Sequence, residues 1–410
     1  MVKKYLYAVG LLVAGLFLPE FKLCAQEKTN LPDTVAQKDV NDLFREVFKK
    51  NKKPDTTKKK NGSVVILPSF NYTVSNGFAF GADFSVSKYL GDPKKTTLSL
   101  FDLFAEKATK TLALVQLRHN IYTSGDKWIL QGNWELGKTE VVDHGIGTGR
   151  DDPGEFPIKY TYIKFSEKVS KKVVDHFFAG AGLAYNYYTN IDDERLNGEH
   201  SRTFNHFYSL KNGYPAYGYL AGGLLFDLQY NTKDHPFRPY KGLFVNVTFR
   251  LNQTWLGSEK DATQIKTELR KYWSLSHKNP EHVLAFWLWG SYLLKGSVPY
   301  LELPATGSDP EQRMGRGYTI SRFKGPSYFY NELEYRFPIT RNKLISGVAF
   351  FNMQTANNQR TTKLFQYWEP GGGGGLRILF DKHTRTNLCL DYGFGNYGSN
   401  GISVGINETF

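Results

Sequence analysis

Gly401-Ile-Ser-Val-Gly-Ile-Asn-Glu-Thr-Phe410 is the stretch that decides the fold. Ile402, Val404, Ile406 and Phe410 fall on one face of a period-two strand, and Gly401, Ser403, Gly405, Asn407 and Thr409 fall on the other. Only Glu408 breaks the pattern. A strand that is apolar on one side and small or polar on the other suits the lipid-facing wall of a transmembrane barrel. An edge strand of a soluble sandwich can carry the same alternation. In a barrel this last strand is expected to pair with the first, which removes both open edges.

The opening residues agree with that class. Lys3 and Lys4 precede an apolar run from Tyr5 to Leu18, followed by Leu23-Cys-Ala25, so residues 1–25 are expected to be a secretory signal cut after Ala25. The run is short for a membrane span. Lys22 and Leu23 lack the small side chains that a lipoprotein cysteine needs before it, so Cys24 is not expected to be acylated. Cys389 then stands alone and no internal disulfide can form.

Mean hydropathy is negative, and no helix-length apolar run follows the signal, which excludes helical spans. Yet the chain carries 30 Phe, 26 Tyr, 7 Trp and 39 Gly. Barrels hide their membrane signal in this way, because only alternate residues face lipid. The formal charge of +13 is spread along the chain. Three lysines against one glutamate lie in residues 1–25, and ten basic against six acidic residues lie in 26–62. The remainder has no concentrated basic helix and no nucleic-acid motif, so the excess reads as pore lining or loop charge and nucleic acid is not an expected partner.

Residues 26–62 form a separate segment, expected to be periplasmic. Val40, Leu43, Phe44, Val47 and Phe48 have helical spacing and predict one short amphipathic helix. Lys49 to Lys60 reads as a solvated linker. The helix can dock on a partner, enter the barrel or rest on anionic lipid, and a loose tether is the plainer alternative.

From Ser63 to Phe410 the chain reads as strands, and turn signals divide it into about sixteen, an even number as bacterial barrels require. In Lys241–Asn252, Leu243, Val245, Val247, Phe249 and Leu251 alternate with polar residues, which puts Arg250 on the inner face. The long connections (140–157, 189–216, 293–325 and 356–369) all take odd places, and the even ones are mostly compact turns such as Ser124-Gly-Asp. Short turns on one rim and long loops on the other are the barrel arrangement, with both termini expected on the periplasmic side.

The longest loop carries Met314-Gly-Arg-Gly-Tyr318 and leads into Tyr328-Phe-Tyr-Asn-Glu-Leu-Glu-Tyr-Arg-Phe-Pro338. Alternation places Tyr328, Tyr330, Glu332, Glu334 and Arg336 on one face, taken as the lumen. An arginine between Gly315 and Gly317 can fold tightly back into the pore, where Glu332 or Glu334 can hold its guanidinium with two bonds. A surface loop with a solvated arginine fits the same residues.

Arg316-Gly317-Tyr318 resembles the [Val/Ile]-Arg-Gly-[Phe/Tyr] signature of the bacterial surface antigen, or BamA/TamA, outer-membrane superfamily. Asp234-His-Pro-Phe-Arg-Pro-Tyr-Lys-Gly242 is similar to that family's Asp-x-Arg-Asp…Pro…Gly turn, and His144-Gly-Ile-Gly147 resembles a stretch of its third loop. Gly371–Gly375 with Leu376-Arg377, then Leu390-Asp-Tyr-Gly393, match its closing pattern. The resemblance covers about residues 63–410. It implies an all-β transmembrane barrel of sixteen antiparallel strands with the sixth extracellular loop tucked into the lumen, in the bacterial outer membrane. Members insert barrel proteins into that membrane or move polypeptide through it.

Two departures qualify what carries over. The segment between Ala25 and Ser63 is too short for the periplasmic docking domains that precede the barrel in other members, so partner subunits are expected to supply them. The family's Phe-x-Asp-x-Gly strand has Asn352 in place of its aspartate, which accepts a hydrogen bond but forms no ion pair. Glu332 or Glu334 then has to supply the countercharge. In the family, the seam between the first and last strands opens and a client strand pairs there. Pro68, which offers no backbone donor, and Gly405, which packs weakly, favour a weak seam here, with a merely short first strand as the plainer alternative.

Enzyme chemistry is not expected. Nine His show no His-Glu-x-x-His, two Cys cannot build a zinc site, and no Gly-x-Ser-x-Gly elbow or phosphate-loop Lys occurs. Ser201 and His206 are the one imaginable hydrolytic pair, and loops hold such pairs by chance. No cofactor or metal is expected. The chain reads as an accessory factor for polypeptide insertion or export, with outer-membrane lipid and polypeptide clients as partners. A passive channel or scaffold subunit is the alternative.

Overall fold

The computed structural model describes residues 35–48, 62–73, 77–149, 156–193, 203–358 and 362–410. The expected signal at 1–25 and the Lys49–Lys60 linker lie outside the described residues. The compact body is Gln37–Phe410. No helix among the described residues is long and apolar enough to cross a membrane; the strands carry the fold.

Sixteen antiparallel strands follow one another in chain order, each paired with its sequence neighbour. The first eight are β1 (Gly62–Thr73), β2 (Gly77–Lys88), β3 (Ser99–Ala108), β4 (Ala113–Tyr122), β5 (Trp128–Asp143), β6 (Phe156–Val174), β7 (Phe177–Asp192) and β8 (Tyr219–Asn231). The second eight are β9 (Gly242–Asn252), β10 (Ala262–Ser274), β11 (Val283–Gly296), β12 (Ser327–Pro338), β13 (Ile345–Ala356), β14 (Glu369–Asp381), β15 (Thr386–Gly395) and β16 (Asn400–Ile406). The longest connections, 144–155, 193–218, 297–326 and 357–368, share one rim.

Alternation sorts the side chains as a membrane wall requires. Leu103, Val115, Leu136, Ile163, Leu228 and Leu333 are exposed on the outer face, while Gln116, Glu135, Asp227, Arg250, Glu332 and Arg377 point inward and are buried. The interior is therefore lined by polar and aromatic side chains, many of them packed against one another.

One short helix, α1 (Val40–Val47), stands where the apolar spacing predicts it, opened by a capping box between Asp39 and Asp42. Its polar side meets the short-turn rim: Asn41 donates to the Phe380 carbonyl at 3.1 Å and Lys382 pairs with Asp42 at 2.6 Å. Leu43, Phe44, Val47 and Phe48 remain exposed.

The last strand departs from its expected course. β16 ends at Ile406, and Asn407 turns the chain with φ +65°. Phe410, expected on the lipid face, is buried in the interior, stacked on Trp287 at 5.2 Å and set against Tyr272 at 6.2 Å. The reason is electrostatic. Glu408 binds Arg377 at 2.7 Å and lies 3.6 Å from Arg238 and 3.9 Å from Arg336, so the tail follows its carboxylate inward.

The seam is unzipped. Among the described residues no ladder joins β1 to β16, although the two strands lie beside each other, and β16 has 7 residues against 12 for β1. Pro68 lies on β1 opposite Ala82 and is exposed. Gly405 pairs with Cys389 of β15, and a side chain there would meet the Arg313 guanidinium at 3.2 Å.

Candidate functional site

The connection between β11 and β12 returns into the barrel and joins a dense cluster of buried charges. Asp309 starts the descent by accepting from the backbone amides of Arg313 at 3.0 Å and Met314 at 2.7 Å. A turn follows in which the Tyr318 amide donates to the Gly315 carbonyl at 3.0 Å, with Gly315 at φ +83° and Gly317 at φ +99°. This geometry throws the Arg316 side chain at the wall.

Three carboxylates receive it. The Arg316 guanidinium donates to Glu332, to Glu334 at 2.5 Å and to Asp391 at 2.9 Å. Its Cζ lies 3.6 Å from the centre of the Phe350 ring. Burial works against the cation, but the carboxylates of Glu332, Glu334 and Asp391 outweigh it and hold Arg316 charged well above its ordinary pKa. Asn352 does not meet the guanidinium. Its side-chain amide donates to the Arg316 carbonyl at 3.0 Å, so it holds the loop's backbone. Tyr318 donates to the Pro370 carbonyl at 2.5 Å and accepts from the Asn396 amide at 2.8 Å.

The cluster extends beyond Arg316. Arg377 bonds Asp391 at 2.5 Å and Glu408 at 2.7 Å, and Arg336 bonds Glu334 at 2.6 Å. Arg238 comes in from the β8–β9 turn and reaches Glu281 at 3.3 Å. Loop six, the tail and the short-turn rim thus share one ionic chain. Alternation and the loop motif point to Arg316, Glu332 and Glu334 but carry no signal that Asp391, Arg377, Arg238 or Glu408 joins them. Asp391 and Arg377 stood inside the Leu390-Asp-Tyr-Gly393 and Leu376-Arg377 motifs, and Glu408 was the break in the final alternation.

A backbone crossing makes room for the clamp. A Cβ on Gly393 would stand 2.7 Å from the Gly317 amide nitrogen, and one on Gly317 would stand 2.6 Å from the Phe394 carbonyl oxygen. Both obstacles are backbone and cannot rotate away. Gly393→Ala should therefore cost about 1–3 kcal/mol and lift the loop from β15. Thermal unfolding in detergent, followed by loss of the compact electrophoretic form, checks it.

The end of β5 and the residue after it grip the same connection. Lys324 pairs with Asp143 at 2.9 Å, Tyr300 donates to Asp143 at 2.8 Å, and Arg322 meets His144. On the other side Glu302 accepts from Arg250 at 3.1 Å and Asn186 at 2.7 Å. Below, Phe237, Arg118, Glu311, Arg313 and Phe410 enclose an interior pocket of only about 50 Å³, space for a few waters. Among the described residues no cluster of three or more His, Cys, Asp or Glu is arranged to hold a metal ion. Ser201 lies outside the described residues, and His206 sits in a second helix, α2 (Phe204–Asn212), where its amide is capped by Thr203.

Comparison with known proteins places this geometry. The family model for the Omp85 superfamily domain matches residues 122–410. BamA from Haemophilus ducreyi lacking POTRA domains 1–3 is similar in structure, with a TM-score of 0.53 at 15% identity over 84% of this chain and 69% of that one. CdiB from Acinetobacter baumannii is similar with a TM-score of 0.50 at 11% identity over 85% of this chain, which spans 60% of the CdiB chain. No curated protein matches the sequence.

Proposed function

This chain belongs to the Omp85 superfamily, and on that premise we propose that it is an accessory factor for inserting or exporting polypeptide at the outer membrane, presenting the edge of β1 to a client strand. The observation that carries the reading is the unzipped seam. β1 offers a 12-residue edge, and β16 stops after 7 residues and turns inward, so among the described residues no ladder closes the sheet. An unpaired strand edge in a bilayer is a template for another strand, since lipid supplies no hydrogen bonds to its backbone.

In this reading the long loops face outside and both termini face the periplasm. The short turns and α1 are the face toward partner subunits that deliver the client. The chemistry is strand pairing and requires no catalytic group. A passive channel is disfavoured because loop six, the β8–β9 turn and the tail run inside the barrel, where Arg316, Arg238 and Glu408 are buried.

Depleting the protein in its host should lower several outer-membrane or surface proteins, with their precursors building up in the periplasm. Quantitative membrane proteomics reads this directly. An unchanged proteome, together with measurable single-channel conductance, would overturn the assembly reading.

A further inference from the structure

We propose that the outer wall of β2–β6 near the long-loop rim binds one membrane lipid with a phosphate-bearing headgroup. This rests on the strands standing in a bilayer and is independent of any client. Strand register lays the outward side chains in rungs. One rung runs Phe80, Lys107, Ala113, Lys138, Thr161, and the next one down runs Ala82, Ala105, Val115, Leu136, Ile163. The two lysines flank Ala113 at two strand spacings, about 10 Å apart. Ala105 and Ala113 leave a trough between the larger Phe80 and Leu136, a groove of about 580 Å³ with an apolar lining.

The charges on this face are unbalanced. Among the described residues neither Lys107 nor Lys138 has a salt-bridge partner, and both side chains are exposed. The outward acid nearby, Glu140, is engaged by Thr111 at 3.1 Å and Lys159 at 3.8 Å. Glu106 and Glu135 point into the lumen and are buried. Two like charges beside an apolar trough lack an anion, and long lysines at the edge of the hydrocarbon lift their ammonium groups to headgroup level. Below them the wall continues through Leu103, Leu117 and Trp134, a path for an acyl chain. Phosphate on an acylated lipid satisfies both halves of the site; free phosphate satisfies only the upper one.

The test is native mass spectrometry of the full chain in detergent, titrated with lipid A, phosphatidylglycerol, phosphatidylcholine or inorganic phosphate. Lipid A and phosphatidylglycerol should be retained over phosphatidylcholine. Lys107→Gln with Lys138→Gln should reduce that retention by about 30-fold, what two basic residues gain at an anionic leaflet. Ala113→Phe, which fills the trough and keeps both charges, should reduce it as well. Equal retention of phosphatidylcholine would mean an ordinary lipid belt and overturn the site. Displacement of lipid by inorganic phosphate would reduce it to an anion patch, also against the proposal. Unaltered retention in both variants would place any bound lipid elsewhere.

Discussion

Replacing Arg316 by alanine should unfasten loop six from the barrel wall. The change leaves buried Glu332 without a cation among the described residues, while Glu334 keeps Arg336 and Asp391 keeps Arg377. Removing one member of a buried ion pair costs about 3–5 kcal/mol, most of it the unbalanced charge that remains. The folded protein should then become cleavable by added protease within Gly315–Tyr318, and its unfolding midpoint should fall. Arg316→Lys should be intermediate, because an ammonium cannot span three carboxylates as a planar guanidinium does. Loss of client assembly in Arg316→Ala would make the loop part of the mechanism. A rise in conductance with assembly intact would make it only a plug. Protease resistance equal to wild type would refute the clamp.

The second large effect is expected from Glu408→Ala. It removes the carboxylate that Arg377 holds at 2.7 Å, with Arg238 and Arg336 close by. The penalty is about 3 kcal/mol, the low end for a buried pair, because Arg377 keeps Asp391, Arg336 keeps Glu334 and Arg238 keeps Glu281. Cys389 provides a native reporter, since its buried thiol donates to the Asn407 carbonyl at 2.8 Å. Maleimide labelling of Cys389, located by peptide mapping, should accelerate in the variant and stay slow in wild type. Acid should not imitate the mutation. Burial pushes the Glu408 carboxyl up, but Arg377, Arg336 and Arg238 more than offset this and hold it far below its ordinary 4.5. A group with a depressed folded pKa contributes stability that is lost only as pH falls through that depressed value. The wild-type tail should therefore stay in place as pH falls through the usual glutamate range.

Strand order and rim parity were legible because each rests on a local signal, the period-two pattern or a turn residue. Leu243 to Asn252 shows it: alternation alone put Arg250 inside, and it meets Glu302 there. Pairing across the lumen has no such period. Arg316 and Asp391 lie 75 residues apart and meet only because loop six descends beside β15. The Phe410 misplacement has a comparable cause. The period-two pattern runs on past Ile406 in the sequence because a positive φ at Asn407 leaves no mark on it. Glu408 was the visible warning, a carboxylate in a run that otherwise suited lipid.

Arg313 of loop six grips the carbonyls of Ile406 and Glu408 at 2.6 Å and of Asn407 at 3.3 Å, the acceptors just where β16 gives out. Those oxygens cannot serve two donors equally well. Any strand that lengthened β16 toward β1 would compete with Arg313 for them, and withdrawing loop six would hand them back. Seam length and loop position are therefore thermodynamically linked, and linkage runs both ways with the same free energy. A segment that paired at the seam would loosen the loop by as much as the loop, when seated, weakens its binding.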